Sequence, residues 1–184
     1  MKYNTRSNTR SLLLTALFAA LTAIGAWLQF PLGITSVTLQ VFFTMLAGIL
    51  LGPVYGAMSQ GVYVLLGLIG LPVFTQGGGL GYFLKPSFGF LLGLIPMAFV
   101  VGLLGGGQRG AVRTPRVILA CIAGLAVCYL IGLPYLYLIV NLYLGKEMPL
   151  SAVLQGGMLI YLPGDALKIA AVATLAPVLT KRLA

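Results

Sequence analysis

Two ionisable residues stand inside a long apolar run near the C-terminus: Asp165 and Lys168, in Leu162-Pro163-Gly164-Asp165-Ala166-Leu167-Lys168. Three positions apart on a helix, they share one face and can pair. A charge at mid-helix in a bilayer costs about 2.5–3.5 kcal/mol on insertion scales, and an ion pair alone rarely repays its desolvation. The pair either locks its helix to its neighbours or serves a ligand, and Pro163 favours the ligand. Proline cannot donate the bond a continuous helix needs, and it suits the first position of a new helical turn. A helix restarting there places Asp165 and Lys168 in its first turns, with free backbone N–H groups facing the same cavity. Carboxylate, ammonium and N–H donors together suit a compact solute bearing N–H and C=O or carboxylate groups. A urea-like ring fits, with Asp165 accepting its N–H groups and Lys168 donating to its oxygen. Alternatively, Lys168 meets a ligand carboxylate and Asp165 a ligand N–H.

Further candidates fall toward the same depth. The stretch Phe74–Tyr82 holds Gly77, Gly78, Gly79 and Gly81; glycines let backbone approach a ligand closely, so this is a lid or a plain connector. Gln40 and Asn141 either face the ligand or bond a neighbouring carbonyl. Tyr82, Tyr135, Tyr143 and Tyr161 form a ligand cage or an interfacial aromatic belt. Cys121 and Cys128 lie seven apart, roughly 10 Å along a helix, too far for a disulfide. Neither has company suited to a metal, so both read as packing residues and no metal site is expected.

The elements that position these residues follow from composition. The chain has 184 residues, 60% apolar and 7% charged, with mean hydropathy +1.07; soluble domains carry about 25% charged residues. No His is present, and the acids are Glu147 and Asp165 alone. That excludes a Ser-His-Asp triad, His-ligated zinc, paired-carboxylate hydrolysis and an acidic magnesium cage. The net charge of +9 comes from basic residues set between apolar runs, not from the aromatic-interleaved stripe of a nucleic-acid binder. The chain reads as an all-α integral membrane protein, one domain over residues 1–184.

Six spans of the length a bilayer requires are expected, at about 11–30, 37–51, 54–70, 87–104, 117–144 and 150–179. Pro31 and Gly33 close the first, Gly52-Pro53 makes a tight turn after the second, and Gly105-Gly106-Gly107 stops the fourth. With a cytoplasmic N-terminus, the inside segments hold Lys2, Arg6, Arg10, Arg109, Arg113, Arg116, Lys181 and Arg182, against Lys85 and Lys146 outside. That bias obeys the positive-inside rule and places both termini in the cytoplasm. The N-terminus resembles a signal peptide, but its apolar run, Leu12–Leu28, is longer than a usual h-region and ends without a small-residue cleavage site. Leu-Ile-Gly-Leu-Pro occurs at Leu68–Pro72 and Leu130–Pro134, at inequivalent positions in their spans, so it is no transporter repeat. On helix one, Ser11, Thr15, Ala19 and Ala23 recur every four residues beside a parallel Ala16–Ala20 row. Small-residue stripes allow close helix contact, internally or with a second membrane subunit; Gly48, Gly52 and Gly56 do similar work.

Several segments together resemble the BioY family, the biotin-specific substrate-binding components of energy-coupling factor (ECF) transporters. They are Gly67-Leu-Ile-Gly70-Leu71-Pro72-Val73-Phe74, the glycine run through Gly81, Pro86-Ser87-Phe88-Gly89-Phe90 and Leu162–Lys168. Thr38-Leu39-Gln40 and Tyr129-Leu-Ile-Gly132-Leu133-Pro134 also match, so the likeness covers essentially the whole chain. The Pro-Gly-Asp-x-x-Lys element is its most specific part. The resemblance implies a six-helix protein of the prokaryotic cell membrane that captures biotin from outside. It would hand the vitamin across with a transmembrane coupling subunit and two cytoplasmic ATPases. The family's biotin-contacting Asp and Lys correspond to Asp165 and Lys168, its outer loop to roughly Gly77–Gly81, and its Ala-x-x-x-Ala contact to Ala16, Ala19, Ala20 and Ala23. Where the family usually has Gly before the Pro opening helix four, this chain has Lys85, which either contacts the ligand carboxylate or snorkels to the interface. No Walker motif is present, so no cofactor is expected and ATP would be used by partners alone. The rival expectations are the same architecture carrying another small vitamin or precursor, an intramembrane enzyme with Asp165 as base and Lys168 as acid, and a purely structural protein.

Overall fold

A computed structural model describes residues 5–32, 35–106 and 112–183. Of the residues invoked above, Lys2, Gly33, Gly107 and Arg109 lie outside the described ones. Helix α1 spans Thr5–Trp27, strands β1 and β2 span Gln29–Leu32 and Thr35–Thr38, and α2 spans Gln40–Leu68. A 3-10 turn, Leu80–Leu84, leads to α3, Phe88–Gly105. Helix α4, Thr114–Leu138, continues through a π turn at Ile139–Tyr143. Helix α5, Leu150–Leu154, a π turn at Gln155–Leu159, and α6, Leu162–Leu183, complete the order. The architecture is all-helical apart from the small ribbon, and five of the described helices are long and apolar enough to cross a membrane.

One of those five, α2, folds back on itself. Gly52 has φ 79° and ψ −176°, a conformation essentially reserved for glycine, and Pro53 opens the second arm with its missing N–H harmless. Thr44 Oγ1 therefore reaches Gln60 Oε1 at 3.0 Å, whereas a straight helix would hold these positions ~24 Å apart. The arms touch where side chains are absent: a Cβ on Gly56 would lie 2.9 Å from Gly48 Cα. Helix α3 then closes on the hairpin, with a Cβ on Gly48 falling 2.6 Å from the Ala98 carbonyl and one on Gly102 2.5 Å from the Gly52-Pro53 bond. Gly93 against the Cys128 backbone and Gly124 against Met97 and Val101 bring α4 equally close to α3. Both cysteines are buried and free. Met45, Ile49, Met97, Val101 and Val117 fill the centre, while Leu13, Leu119, Leu130 and Leu167 stand more than three-fifths exposed, as a lipid-facing surface requires.

Helix α1 ends three residues short of the expected span, and the next residues pair as an antiparallel ribbon, Gln29 with Thr38 and Leu32 with Thr35. Pro31 explains this, because a residue before proline is driven out of the helical region into extended backbone. Helix α2 likewise stops at Leu68, before Gly70 turns the chain at φ 108°. Arg113 and Arg116 lie at the hairpin-tip end, where Arg116 Nε donates to the Leu104 carbonyl at 2.6 Å. Lys181 and Arg182 close the last turn of α6.

Candidate functional site

The break in the last apolar segment comes before Pro163. Tyr161 N–H donates to the Met158 carbonyl at 2.9 Å, and α6 restarts at Leu162. The restart places Asp165 and Lys168 on one face, and the N–H of Asp165 is already bonded to the Tyr161 carbonyl at 2.9 Å. That amide is therefore not the free donor toward the cavity that the sequence suggested. The side chains carry the site instead: Lys168 Nζ donates to Asp165 Oδ1 at 2.8 Å, and Tyr129 Oη of α4 donates to Asp165 Oδ2 at 2.6 Å. Asp165 is 3% exposed and Lys168 8%. Both carboxylate oxygens are thus bonded, yet each keeps a further lone pair and the ammonium two further N–H groups.

These groups open onto a partly open cavity at the end of the molecule opposite the hairpin tip. Val37, Thr38, Gln40 and Val41 form one wall, and Thr75 and Tyr82 come from the glycine-rich loop. Phe90, Leu91 and Leu94 of α3, Leu125, Cys128 and Tyr129 of α4, and Tyr161 complete an otherwise mainly apolar lining. Gln40 bonds other side chains, not a neighbouring carbonyl: its Nε2 donates to Tyr63 Oη at 2.7 Å and its Oε1 accepts from Thr38 Oγ1 at 2.8 Å.

The loop is seated on α2. The Phe74 ring lies on Gly67, where a Cβ would come within 2.0 Å of it, and it meets Tyr63 and Tyr82 edge-on or tilted. Gly79 N–H donates to the Gly67 carbonyl at 2.7 Å, and a Cβ on Gly78 would fall 2.1 Å from the Leu71 carbonyl oxygen. Gly77 bridges back to Phe74. From the other side, Trp27 Nε1 donates to the Pro72 carbonyl at 3.2 Å and Gln29 Nε2 to the Thr75 carbonyl at 3.1 Å.

Of the candidates read from sequence, Asp165, Lys168, Gln40 and Tyr82 line the cavity. Phe74, Gly77, Gly78 and Gly79 shape the loop above it without lining it. Lys85 is exposed at the end of the 3-10 turn. Asn141 is spent on the turn after α4, donating to the Tyr137 and Met148 carbonyls and accepting from Met148 N–H. Tyr135 donates to the Phe83 carbonyl, and Tyr143 is 57% exposed. The alanine face of α1 divides: Ala19 is buried and Ala23 packs against the core, while Ala16 and Ala20 face outward. The period of 3.6 residues per turn sets Ala19 and Ala23 on the face covered by α2, leaving the other row bare.

Sequence reasoning missed Tyr129 as a partner of Asp165; its only signal was its place beside the Gly132-Leu133-Pro134 motif. It also missed Thr38, Thr75 and Ser87 at the cavity. A buried polar network went unforeseen too, in which Gln60 bonds Thr22 at 3.3 Å, Ser59 at 3.0 Å and Thr44 at 3.0 Å. Among the described residues, every fully buried side-chain nitrogen or oxygen has a partner, and no group of three or more His, Cys, Asp or Glu residues gathers that could hold a metal ion.

The BioY family model matches residues 1–184. A probable biotin transporter BioY of Lysinibacillus sphaericus is 43% identical over 152 residues, 83% of this chain and 77% of that one. The biotin transporter BioY of Rhizobium etli is 39% identical over 178 residues, 91% of each. Among solved structures, the biotin S-component of an ECF-type ABC transporter superposes with a TM-score of 0.67 at 29% identity, covering 100% of this chain and 94% of that one. With the whole chain matched by one family model and relatives near 40% identity spanning most of it, the chain belongs to the BioY family.

Proposed function

We propose that this chain captures biotin at the outer face of the cytoplasmic membrane and acts as the specificity subunit of an ECF-type importer. The observation that carries the reading is the buried Asp165–Lys168 pair, braced by Tyr129, on the wall of a mainly apolar cavity in a BioY-family chain. A ureido ring offers an N–H donor to Asp165 and an oxygen to Lys168, and the apolar lining accepts the sulfur-containing ring and the aliphatic chain. Gln40 and Tyr82 complete the wall. The loop carrying Phe74 and Gly77–Gly79 closes over the ligand as a lid, while Lys85 and Asn141 make no direct contact with it.

The reversal at Gly52 supports counting α2 as two spans and the chain as six. The basic residues at the hairpin-tip end support a cytoplasmic position for both termini. Recognition involves no covalent step, so the chain is a carrier component and not an enzyme. It needs no cofactor; ATP is used by two partner ATPases, coupled through a transmembrane subunit. The outward Ala16–Ala20 row of α1 is the surface offered to that subunit.

Equilibrium binding of labelled biotin to the purified protein tests this, with wild type beside Asp165→Asn and Lys168→Gln. Saturable one-to-one binding that both substitutions weaken at least tenfold is expected for lost charged hydrogen bonds. Binding that survives both changes moves the site elsewhere, and a folded sample that binds none ends the biotin assignment. Competition by other unlabelled vitamins separates biotin from another solute of the same carrier architecture.

A further inference from the structure

We propose that Tyr63, which does not line the cavity, is a positioning residue that fixes which end of the Gln40 amide faces the ligand, and so selects for a ring N–H at that point. The inference rests on the biotin-capture reading above. It follows from the direction in which three hydrogen bonds must run.

The Val73 carbonyl can only accept, so the Tyr63 hydroxyl, 3.2 Å away, spends its one proton there. The phenolic oxygen is then left as an acceptor, and the group 2.7 Å from it must be the Gln40 Nε2 amide. With its nitrogen held at Tyr63, Gln40 turns its oxygen to the other side, where Thr38 Oγ1 donates to it at 2.8 Å. Thr38 and Gln40 line the cavity. A carbonyl oxygen has two lone pairs, so the second remains for a donor on the ligand. Tyr63 is fully buried against Phe74, and Gln40 is 5% exposed, so the amide end held at Tyr63 is shut off from bulk water. A backbone carbonyl of the loop, two positions past Leu71, thereby sets the hydrogen-bond polarity of the wall.

The test compares affinity for biotin with affinity for its cyclic carbamate analogues, in which one or the other ring N–H is replaced by oxygen. These probes keep the ring's shape and exchange one donor for an acceptor. Wild type favours biotin over at least one carbamate. In Tyr63→Phe the amide is free to turn its nitrogen inward, and that preference falls about three- to tenfold, as expected for one neutral hydrogen bond. Gln40→Met, which removes the amide, lowers the same preference, and Tyr63→Phe added to Gln40→Met changes it no further. A purely structural role for Tyr63 predicts equal losses for biotin and carbamate; an unchanged ratio in Tyr63→Phe overturns the inference. So does a ratio that Gln40→Met preserves, which decides the matter even if Tyr63→Phe does not fold. Failure of wild type to bind biotin at all counts against the capture reading itself, and is read separately from the ratio.

Discussion

The two polar walls of the cavity solve the same problem by different means. On one side Asp165, Lys168 and Tyr129 form an ionic cluster in which two of the three members lie three residues apart on α6. On the other, Gln40, Thr38 and Tyr63 form a neutral cluster assembled from the two ends of a helical hairpin. Charge makes the first wall strong toward ligand and costly to damage, because an unpaired ion in a low-dielectric site cannot recover its lost hydration. Neutrality makes the second wall weaker per bond but directional, since its information lies in which atom points inward. On the proposed reading, affinity rests mainly on the first wall and discrimination on the second.

The largest effect expected is at the ionic wall. Asp165→Ala strands the Lys168 ammonium and the Tyr129 hydroxyl, and should lower stability by ~3–5 kcal/mol while abolishing biotin binding. Thermal unfolding in detergent and equilibrium binding read the two losses. The double change Asp165→Leu with Lys168→Met sharpens the comparison: most of the stability should return, because an apolar pair needs no desolvation, and binding should not. Next, Tyr129→Phe leaves the ion pair in place but removes one hydrogen bond to a charged acceptor, weakening binding by about 1.5–3 kcal/mol in a titration against wild type.

The lid gives a smaller expected change. Gly67→Ala drives a methyl into the Phe74 ring, and overpacking of this kind costs roughly 1–3 kcal/mol. Faster proteolysis within residues 70–82 and faster biotin dissociation are the expected readouts. Smallest in stability is Ala16→Leu on the outward row of α1, where unfolding and biotin affinity should stay at wild-type values while uptake by the assembled transporter falls. Ala19→Leu, one row over and buried, should destabilise the chain itself.

How much of this was legible depended on sequence distance. The Asp165–Lys168 pair could be read directly, because a helical repeat relates positions three apart whatever surrounds them. The reversal at Gly52-Pro53 and the packing role of Gly48 and Gly56 were also legible, since glycine and proline impose local backbone geometry. Tyr129 and Tyr63 were not, because nothing in a string of apolar residues says which tyrosine of another segment will face a given carboxylate or amide. From spacing alone Ala16, Ala19, Ala20 and Ala23 read as one surface, and only the docking of α2 shows which row is covered. Asn141 has the same residue-level credentials as Gln40, an amide near the end of an apolar helix. Its neighbours gave it backbone carbonyls to cap, while those of Gln40 gave it the cavity.

By itself the sequence determined the membrane class, the apolar helices, the breaks at Pro31, Gly52-Pro53 and just before Pro163, and the Asp165–Lys168 pair, because each follows from transfer energetics or from backbone restrictions acting over a few residues. Only the tertiary structure decided which polar groups share a cavity, which way the Gln40 amide points and which alanines remain exposed. Those outcomes depend on helices meeting across tens of residues, and hydrogen-bond direction is fixed only when every donor in a closed, water-poor space has been assigned an acceptor.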